Sequence, residues 1–351
     1  MNYKRLGRSG LKVSRLSLGS WLTFANKVDI RDARQIIACA LDAGVNFFDT
    51  AENYADGQAQ VMLGQIFNDL GARRDSFCLS SKVFWGGDLP TQRGLSRKHI
   101  NDACNKSLAR LKTDYLDIYF CHRPDPDTPI LETASAMHDL IVQGKVMYWG
   151  TSEWSPRQIR TAFEVTSENS LYPPVAEQPP YNLFDRQRFE YQTRPVAKQF
   201  GLGILSTTPL SSGILSGKYL ETDLPSARLN LVDNAWLRER LSYQFEERWL
   251  RKLQDIRHLS DDFGITAAQL SIAWCMTDPV VTSVITGATS LRQIQENLAT
   301  IKFLENLDKS TLRKLERFGR PRPILRAIDR LKFSSRAGRQ AAKSILSTLR
   351  G

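Results

Sequence analysis

Strand-like and helix-like segments alternate along most of this chain, and that alternation limits the fold more than any other feature. Short apolar runs occupy 15–19, 45–49, 77–83, 115–122, 146–152, 175–179, 202–207 and 281–286. Helical spacing follows each of them, over 31–43, 58–70, 97–111, 130–143, 156–165, 188–200, a pair at 246–263 and 267–276, and 291–298. In the first of these Ile36, Ile37, Ala40 and Leu41 fall on one face. Ser155 before Pro156, and Thr266 before Ala267, are natural helix starts. Alternation of this kind demands parallel strands joined by right-handed crossovers. Eight units predict a closed (β/α)8 TIM barrel. The rival is a doubly wound open sheet, which usually carries G-x-G-x-x-G after its first strand, and the chain has no such fingerprint. An N-terminal β-hairpin turning at Ser9-Gly10 is expected to cap one end. A long loop from Leu210 to about Tyr243 follows the seventh strand, and extra helical material recurs at 309–318.

Composition excludes several classes. No apolar run reaches the ~20 residues that span a bilayer, and the N-terminus lacks a signal-peptide core. The five cysteines (Cys39, Cys78, Cys104, Cys121, Cys275) are odd in number and show no CxxC spacing. They suit a reducing, cytoplasmic setting better than a disulfide frame or a zinc site. The four histidines are dispersed, so no metal site is expected. The net charge of +11 is concentrated past residue 320: residues 321–351 hold eight Lys/Arg against Asp329 alone. The expected organisation is a barrel over 1–320 and a basic helical tail over 321–351. In the tail Ile324, Leu325, Ile328 and Leu331 recur at helical spacing. A stripe packed on the barrel is the plain reading; a basic face for an acidic partner or an anionic membrane surface is the functional one. No nucleic-acid partner is expected.

In a barrel of this type the active site lies at the C-terminal strand ends. Those ends carry Gly19-Ser20-Trp21, Asp49 with Tyr54 in its loop, Ser81-Lys82, Cys121-His122, Thr151-Ser152-Glu153, Glu177-Gln178, Thr207-Thr208 and Gly287-Ala288-Thr289. A strand-end Asp is often a turn former, and a lone His is more often a satisfied core residue than a catalyst. Asp, Tyr, Lys and His on three consecutive strand ends make one coherent set. A buried Lys82 stays charged beside Asp49. A cation beside the Tyr54 phenol favours phenolate and is expected to lower its pKa. His122 can donate to an oxygen that gains charge. The set suits reduction of a carbonyl, with hydride to carbon and proton to oxygen. Glu52, the other acid in that loop, is expected to be a loop or surface residue. Trp21, Phe84, Trp85 and Trp236 are candidate pocket walls, with Trp21, Tyr54, Trp85 and His122 facing substrate.

The stretch Phe48-Asp49-Thr50-Ala51…Tyr54, then Ser81-Lys82, Leu116-Asp117-Ile118-Tyr119…His122 and Gly150-Thr151-Ser152, resembles the aldo-keto reductase family in order and spacing. More narrowly, Glu177-Gln178, Pro209-Leu210-Ser211-Ser212-Gly213, Gly217-Lys218-Tyr219 and Gly287-Ala288-Thr289…Gln293…Glu296-Asn297 resemble its potassium-channel β-subunit-like branch. The resemblance covers roughly residues 3 to 305.

What the resemblance implies is NADP(H)-dependent reduction of an aldehyde or ketone. Tyr54 would be the proton donor, Asp49 and Lys82 its tuners, and His122 the carbonyl-orienting group. Ser20, Trp21, Asp49, Ser152, Gln178 and Thr207 would surround the nicotinamide. Pro209, Leu210, Ser212, Lys218 and Arg228 would meet the pyrophosphate, with Arg228 on a covering loop. Gly287, Thr289, Gln293, Glu296 and Asn297 would hold the adenosine end, where a helix start suits a phosphate.

Two departures stand out. Many relatives place a stacking aromatic at Thr207, a role that would pass to Trp21 or Tyr181. Glu153 stands where channel-subunit relatives carry a basic residue. The second reading is a nucleotide-binding regulatory subunit of a membrane protein with little turnover. A lyase or epimerase barrel is a weaker third. Substrate and oligomeric state stay open, a homo-oligomer included.

Overall fold

The computed structural model describes residues 1–25, 27–220, 234–241 and 247–317. Arg228, the 221–233 and 242–243 parts of the 210–243 loop, and the 321–351 tail lie outside the described residues. The chain opens with two short antiparallel strands, β1 (Tyr3–Arg5) and β2 (Lys12–Ser14). Eight parallel strands then close a barrel: β3 (Leu16–Gly19), β4 (Phe47–Asp49), β5 (Cys78–Val83), β6 (Leu116–Cys121), β7 (Val146–Thr151), β8 (Ala176–Glu177), β9 (Gly203–Ser206) and β10 (Val281–Thr286). The last pairs with the first, Thr286 opposite Leu18. The (β/α)8 barrel expected from the alternation is the observed fold.

Helices α1 (Ile30–Asp42), α2 (Gln58–Asp69), α3 (Arg97–Leu111), α4 (Ile130–Val142), α5 (Pro156–Glu168) and α6 (Arg194–Phe200) follow β3 to β8 in turn. Three come after β9: α7 (Ala235–Arg240), α8 (Glu247–Asp262) and α9 (Ala267–Thr277). After β10 come α10 (Leu291–Glu305) and α11 (Lys309–Arg317). Among the described residues no helix is long and apolar enough to cross a membrane.

Local chemistry sets the boundaries. Ser155 and Thr266 cap α5 and α9, each in a reciprocal box with a Gln three residues on, Gln158 and Gln269. The sixth barrel strand is only Ala176–Glu177, shorter than the apolar run suggested, because Pro179 and Pro180 have no N–H for a ladder. The helix expected over 188–200 is divided. A π-turn at Phe189–Thr193 precedes α6, whose first turn holds Pro195. Proline cannot donate to the carbonyl four residues back, and a wider turn accommodates that gap.

Alternate strand residues face opposite ways. Phe47, Ile118, Phe120, Leu205 and Ile285 fill the barrel interior, with Leu6 and Val13 of the hairpin joining them at its base. Phe48 and Tyr119 turn outward into the helix layer. Full burial of each such side chain contributes roughly 1.5–3 kcal/mol. A Cβ on Gly203 would sit 2.5 Å from Leu6 Cδ1, so the hairpin seals the N-terminal end only over a bare backbone. The C-terminal end stays open.

Candidate active site

Asp49 ends β4, Lys82 is next to last in β5, and His122 follows β6 directly. Tyr54 begins a 3-10 turn, Tyr54–Gly57, in the loop after β4. That turn passes through positive φ at Ala55 and Asp56 before Gly57 (φ 87°). A Cβ at Gly57 would strike the Arg110 guanidinium of α3, so only glycine fits the exit from this turn.

Lys82 is buried and spends its ammonium on three acceptors. Nζ lies 2.6 Å from Asp49 Oδ2, 2.8 Å from the Thr50 carbonyl and 3.1 Å from the Tyr54 hydroxyl. An ammonium has three protons and no lone pair. The Tyr54 oxygen therefore accepts from Lys82, and its own proton is left for the cavity. The other Asp49 oxygen accepts from Ser80 Oγ at 2.7 Å and Gln178 Nε2 at 3.1 Å. Burial works against the Lys82 charge, but Asp49 and Tyr54 outweigh it and hold the ammonium above its usual pKa. Burial pushes the Tyr54 phenol up, ahead of the opposing pull of Lys82, and Asp49 adds to the rise. The lowered phenol expected from the sequence is thus reversed: desolvation exceeds the effect of a cation whose charge Asp49 already balances.

His122 is pushed well below its ordinary pKa by burial first, then by Lys82 and Arg123. It is neutral, and its buried Nδ1 has no partner among the described residues. Its ring lies edge-on to Tyr54 (5.8 Å between centroids) and Trp85 (4.9 Å). Arg123 stands over the Trp85 ring at 5.3 Å and pairs with Glu153 at 2.8 Å.

These groups border a cavity of about 1510 Å³ at the open end of the barrel. It runs from Trp21, Asp49, Tyr54, Trp85 and His122, past Ser152, Gln178 and Thr207, along Pro209, Leu210, Ser212 and Lys218, to Gly287, Thr289, Gln293, Glu296 and Asn297. One elongated space thus brings together nearly every residue singled out from the sequence. Lys82 stands behind it, reaching it through Tyr54. Ser20 is not in the wall: it is buried, with Oγ donating to Thr50 Oγ1 at 2.9 Å. Tyr181 is not a substitute for a stacking ring at Thr207, because it is buried between Phe189 and Trp274. Trp21 does face the cavity. The cap of α10 is Ser290, not Thr289; Thr289 donates its N–H and hydroxyl to Gln293 Oε1 at 2.9 and 3.0 Å. Glu52, expected as a loop or surface residue, lies in the loop but is only 5% exposed, because its carboxylate is held between the Phe84 N–H and His99.

Sequence reading passed over Asn53, Arg123, Asn182 and Arg292, all of which line the cavity. Adjacency to Tyr54 and His122 could have flagged the first two. Asn182 Nδ2 donates to the Thr208 carbonyl at 3.0 Å, a contact between two loops that no spacing foretells.

Could this space take a dinucleotide? Its lining offers amides and hydroxyls near Ser152 and Gln178, with further hydroxyls, Lys218 and the start of α10 beyond them. Positive φ at Thr208, Ser211 and Ser212 turns the backbone beside it into a tight cradle. The residues fit such a group. Among the described residues no cluster of three or more metal-binding side chains occurs.

The Aldo/keto reductase family profile matches residues 15–320. The chain belongs to that family. It is 44% identical to a probable voltage-gated potassium channel subunit beta of Arabidopsis thaliana over 323 residues, 92% of this chain and 98% of that one. It is 43% identical to a protein of the same description from Oryza sativa subsp. japonica over the same shares. Membership in an oxidoreductase family agrees with a polar, partly unsatisfied constellation at the open end of the barrel.

Proposed function

We propose that this chain is an NADP(H)-dependent reductase of aldehydes or ketones, active in the cytoplasm. The observation that carries the reading is the triple donation by Lys82, which leaves the Tyr54 O–H free toward the cavity. A proton donor must hold its proton until it is needed, and the raised pKa of Tyr54 keeps it there. As the proton leaves, the oxygen becomes a phenolate 3.1 Å from an ammonium, so Lys82 stabilises the product of the step more than its start. Neutral His122 donates to the carbonyl oxygen and aligns it with Tyr54. Ser152 and Gln178 would hold the nicotinamide carboxamide, with Gln178 fixed by Asp49. Pro209, Leu210, Ser212, Lys218 and Arg228 would meet the pyrophosphate, and Thr289, Gln293, Glu296 and Asn297 the adenosine end. The bound nicotinamide supplies the hydride. In this reading residues 1–320 are the catalytic unit and 321–351 an appended basic tail.

The test is loss of NADPH absorbance with a panel of aldehydes and ketones. Tyr54→Phe should lower turnover about 10²–10⁴-fold and leave NADPH binding, followed by fluorescence titration, intact. Normal turnover in Tyr54→Phe would overturn the mechanism.

The printed names of the two plant relatives support a second reading, a nucleotide-bound regulatory subunit of a potassium channel. Co-purification with a channel protein and negligible turnover on every carbonyl would favour it.

A further inference from the structure

Glu52 and His99 form a buried pair that the proposed chemistry does not use. Each side chain is 4% exposed. Glu52 lies two residues before Tyr54, and its backbone is already tied down: its N–H donates to the Lys82 carbonyl at 3.2 Å, and its carbonyl accepts from Arg110 at 3.1 Å. Its carboxylate reaches across to the next loop. Oε1 accepts from the Phe84 N–H at 2.6 Å, directly before Trp85. Oε2 lies 3.3 Å from His99 Nε2, off the line of an ideal hydrogen bond.

His99 completes the tie from α3. Its Nδ1 is 2.9 Å from the Gly94 carbonyl. The Gly94 N–H in turn donates to Phe84 O at 2.9 Å, closing the 84–94 loop at its base. Gly86 packs on the pair so closely that a Cβ would lie 2.6 Å from Nε2 and 2.7 Å from Oε2. Both imidazole nitrogens therefore face acceptors. A neutral imidazole has one N–H and can serve one of them. The arrangement calls for an imidazolium.

The geometry points to Glu52 and His99 as positioning residues of the reduction, an ionic brace that fixes the Trp85 loop against the Tyr54 loop. This rests on the reductase reading above. Trp85 is a wall of the cavity and the edge-on neighbour of His122. A brace that slips moves the wall against which the carbonyl is aligned, without touching the dinucleotide end. Burial opposes the charge on His99, but the adjacent Glu52 carboxylate and the Gly94 carbonyl outweigh it and raise its pKa. The charged groups around the pair are Lys106 and Asp102 on α3, with Arg110 on the Glu52 backbone; Tyr119 of β6 packs nearby. Since the pKa is raised, the contribution of the His99 charge is complete below the unfolded histidine pKa and is lost as pH rises through the folded value.

Three measurements test it. Nitrogen-15 NMR at about pH 7 should show two N–H protons on His99 in the wild type and one in Glu52→Gln. Glu52→Gln and His99→Gln should each lower carbonyl kcat/KM about 10- to 100-fold, mainly through KM, with NADPH affinity unchanged. The double variant should be no worse than either single one. A neutral His99 in the wild type, or wild-type kinetics in both single variants, would overturn the brace. A wild type with a doubly protonated His99 but no carbonyl turnover sinks the reductase reading instead. Amide exchange in Glu52→Ala then decides: faster exchange at Phe84, confined to 84–94, supports the brace, and unchanged exchange overturns it.

Discussion

Two buried carboxylates, each paired with a cation, sit at opposite ends of the barrel, Asp49 on β4 and Asp117 on β6. At the open end, Lys82 and Asp49 are 2.6 Å apart. Toward the sealed end, Arg74 and Asp117 are also 2.6 Å apart. Arg74 also bonds Thr113 Oγ1, the Phe77 carbonyl and the Tyr115 carbonyl, each at 2.9 Å, and lies 3.9 Å from the Tyr115 ring centre. Asp117 also accepts from the Leu79 N–H at 2.8 Å. Each of these bonds closes on the protein, and together they tie the entry of β5 to the entry of β6. The Lys82 cluster differs in one respect: its third bond goes to a phenol whose proton has no acceptor assigned within the cluster. Pairing and burial are common to both, so neither marks a site. What separates them is where the remaining hydrogen-bonding capacity points.

The largest effect that could break this contrast is the loss of turnover in Tyr54→Phe, since one oxygen carries the whole difference. Next is Lys82→Met. It leaves Asp49 buried without its cation, which costs about 3–5 kcal/mol, and it also removes the donor that orients Tyr54. Chemical denaturation and carbonyl turnover should both fall in the same variant. Arg74→Met strands Asp117 in a similar way. Arg74 is 23% exposed, so water offsets part of the loss and about 3 kcal/mol is expected. Turnover per folded molecule should not change. A folded Arg74→Met protein that has lost turnover would show that the two ends are not separable.

Which parts of this were legible beforehand follows from what sequence patterns encode. Strand alternation fixed the barrel, and strand ends are one-dimensional landmarks, so Asp49, Lys82 and His122 could be placed before any coordinates. Tyr54 came with its short loop. Glu52 did not, because the direction of a side chain in a turn depends on φ values that spacing does not reveal; here it points inward to Phe84 and His99. Nothing in the spacing of α3 sets His99 apart, because its role depends on the 84–94 loop folding back over it. Ser20 stood at the right strand end but turned toward Thr50. The sign of the Tyr54 shift differs from the expectation for a related reason: a cation next to a phenol is visible in sequence, whereas the depth of burial that outweighs it is not. Arg228 and the tail rest on sequence alone.

Glu177 supplies the smallest and most pointed test, because it is a buried carboxylate with no cation bonded to it. It is fully buried at the end of β8, and no salt bridge reaches it among the described residues. Oε2 accepts from Thr151 Oγ1, and Oε1 has no hydrogen-bond partner among the described residues. Burial raises its pKa to about 7, against the smaller opposing effects of Thr151 and Arg188. The folded value lies above the unfolded one, so the contribution of this group to stability is complete below the unfolded pKa. It is lost as pH rises through the folded value. Glu177→Gln has nearly the same shape and cannot ionise. The two proteins should be about equally stable near pH 5, and near pH 8 the variant should lead by at most roughly 3 kcal/mol. Urea denaturation of both at the two pH values measures the difference. If the gap is the same at both, Glu177 does not titrate in this window, and its missing cation has no pH-dependent cost.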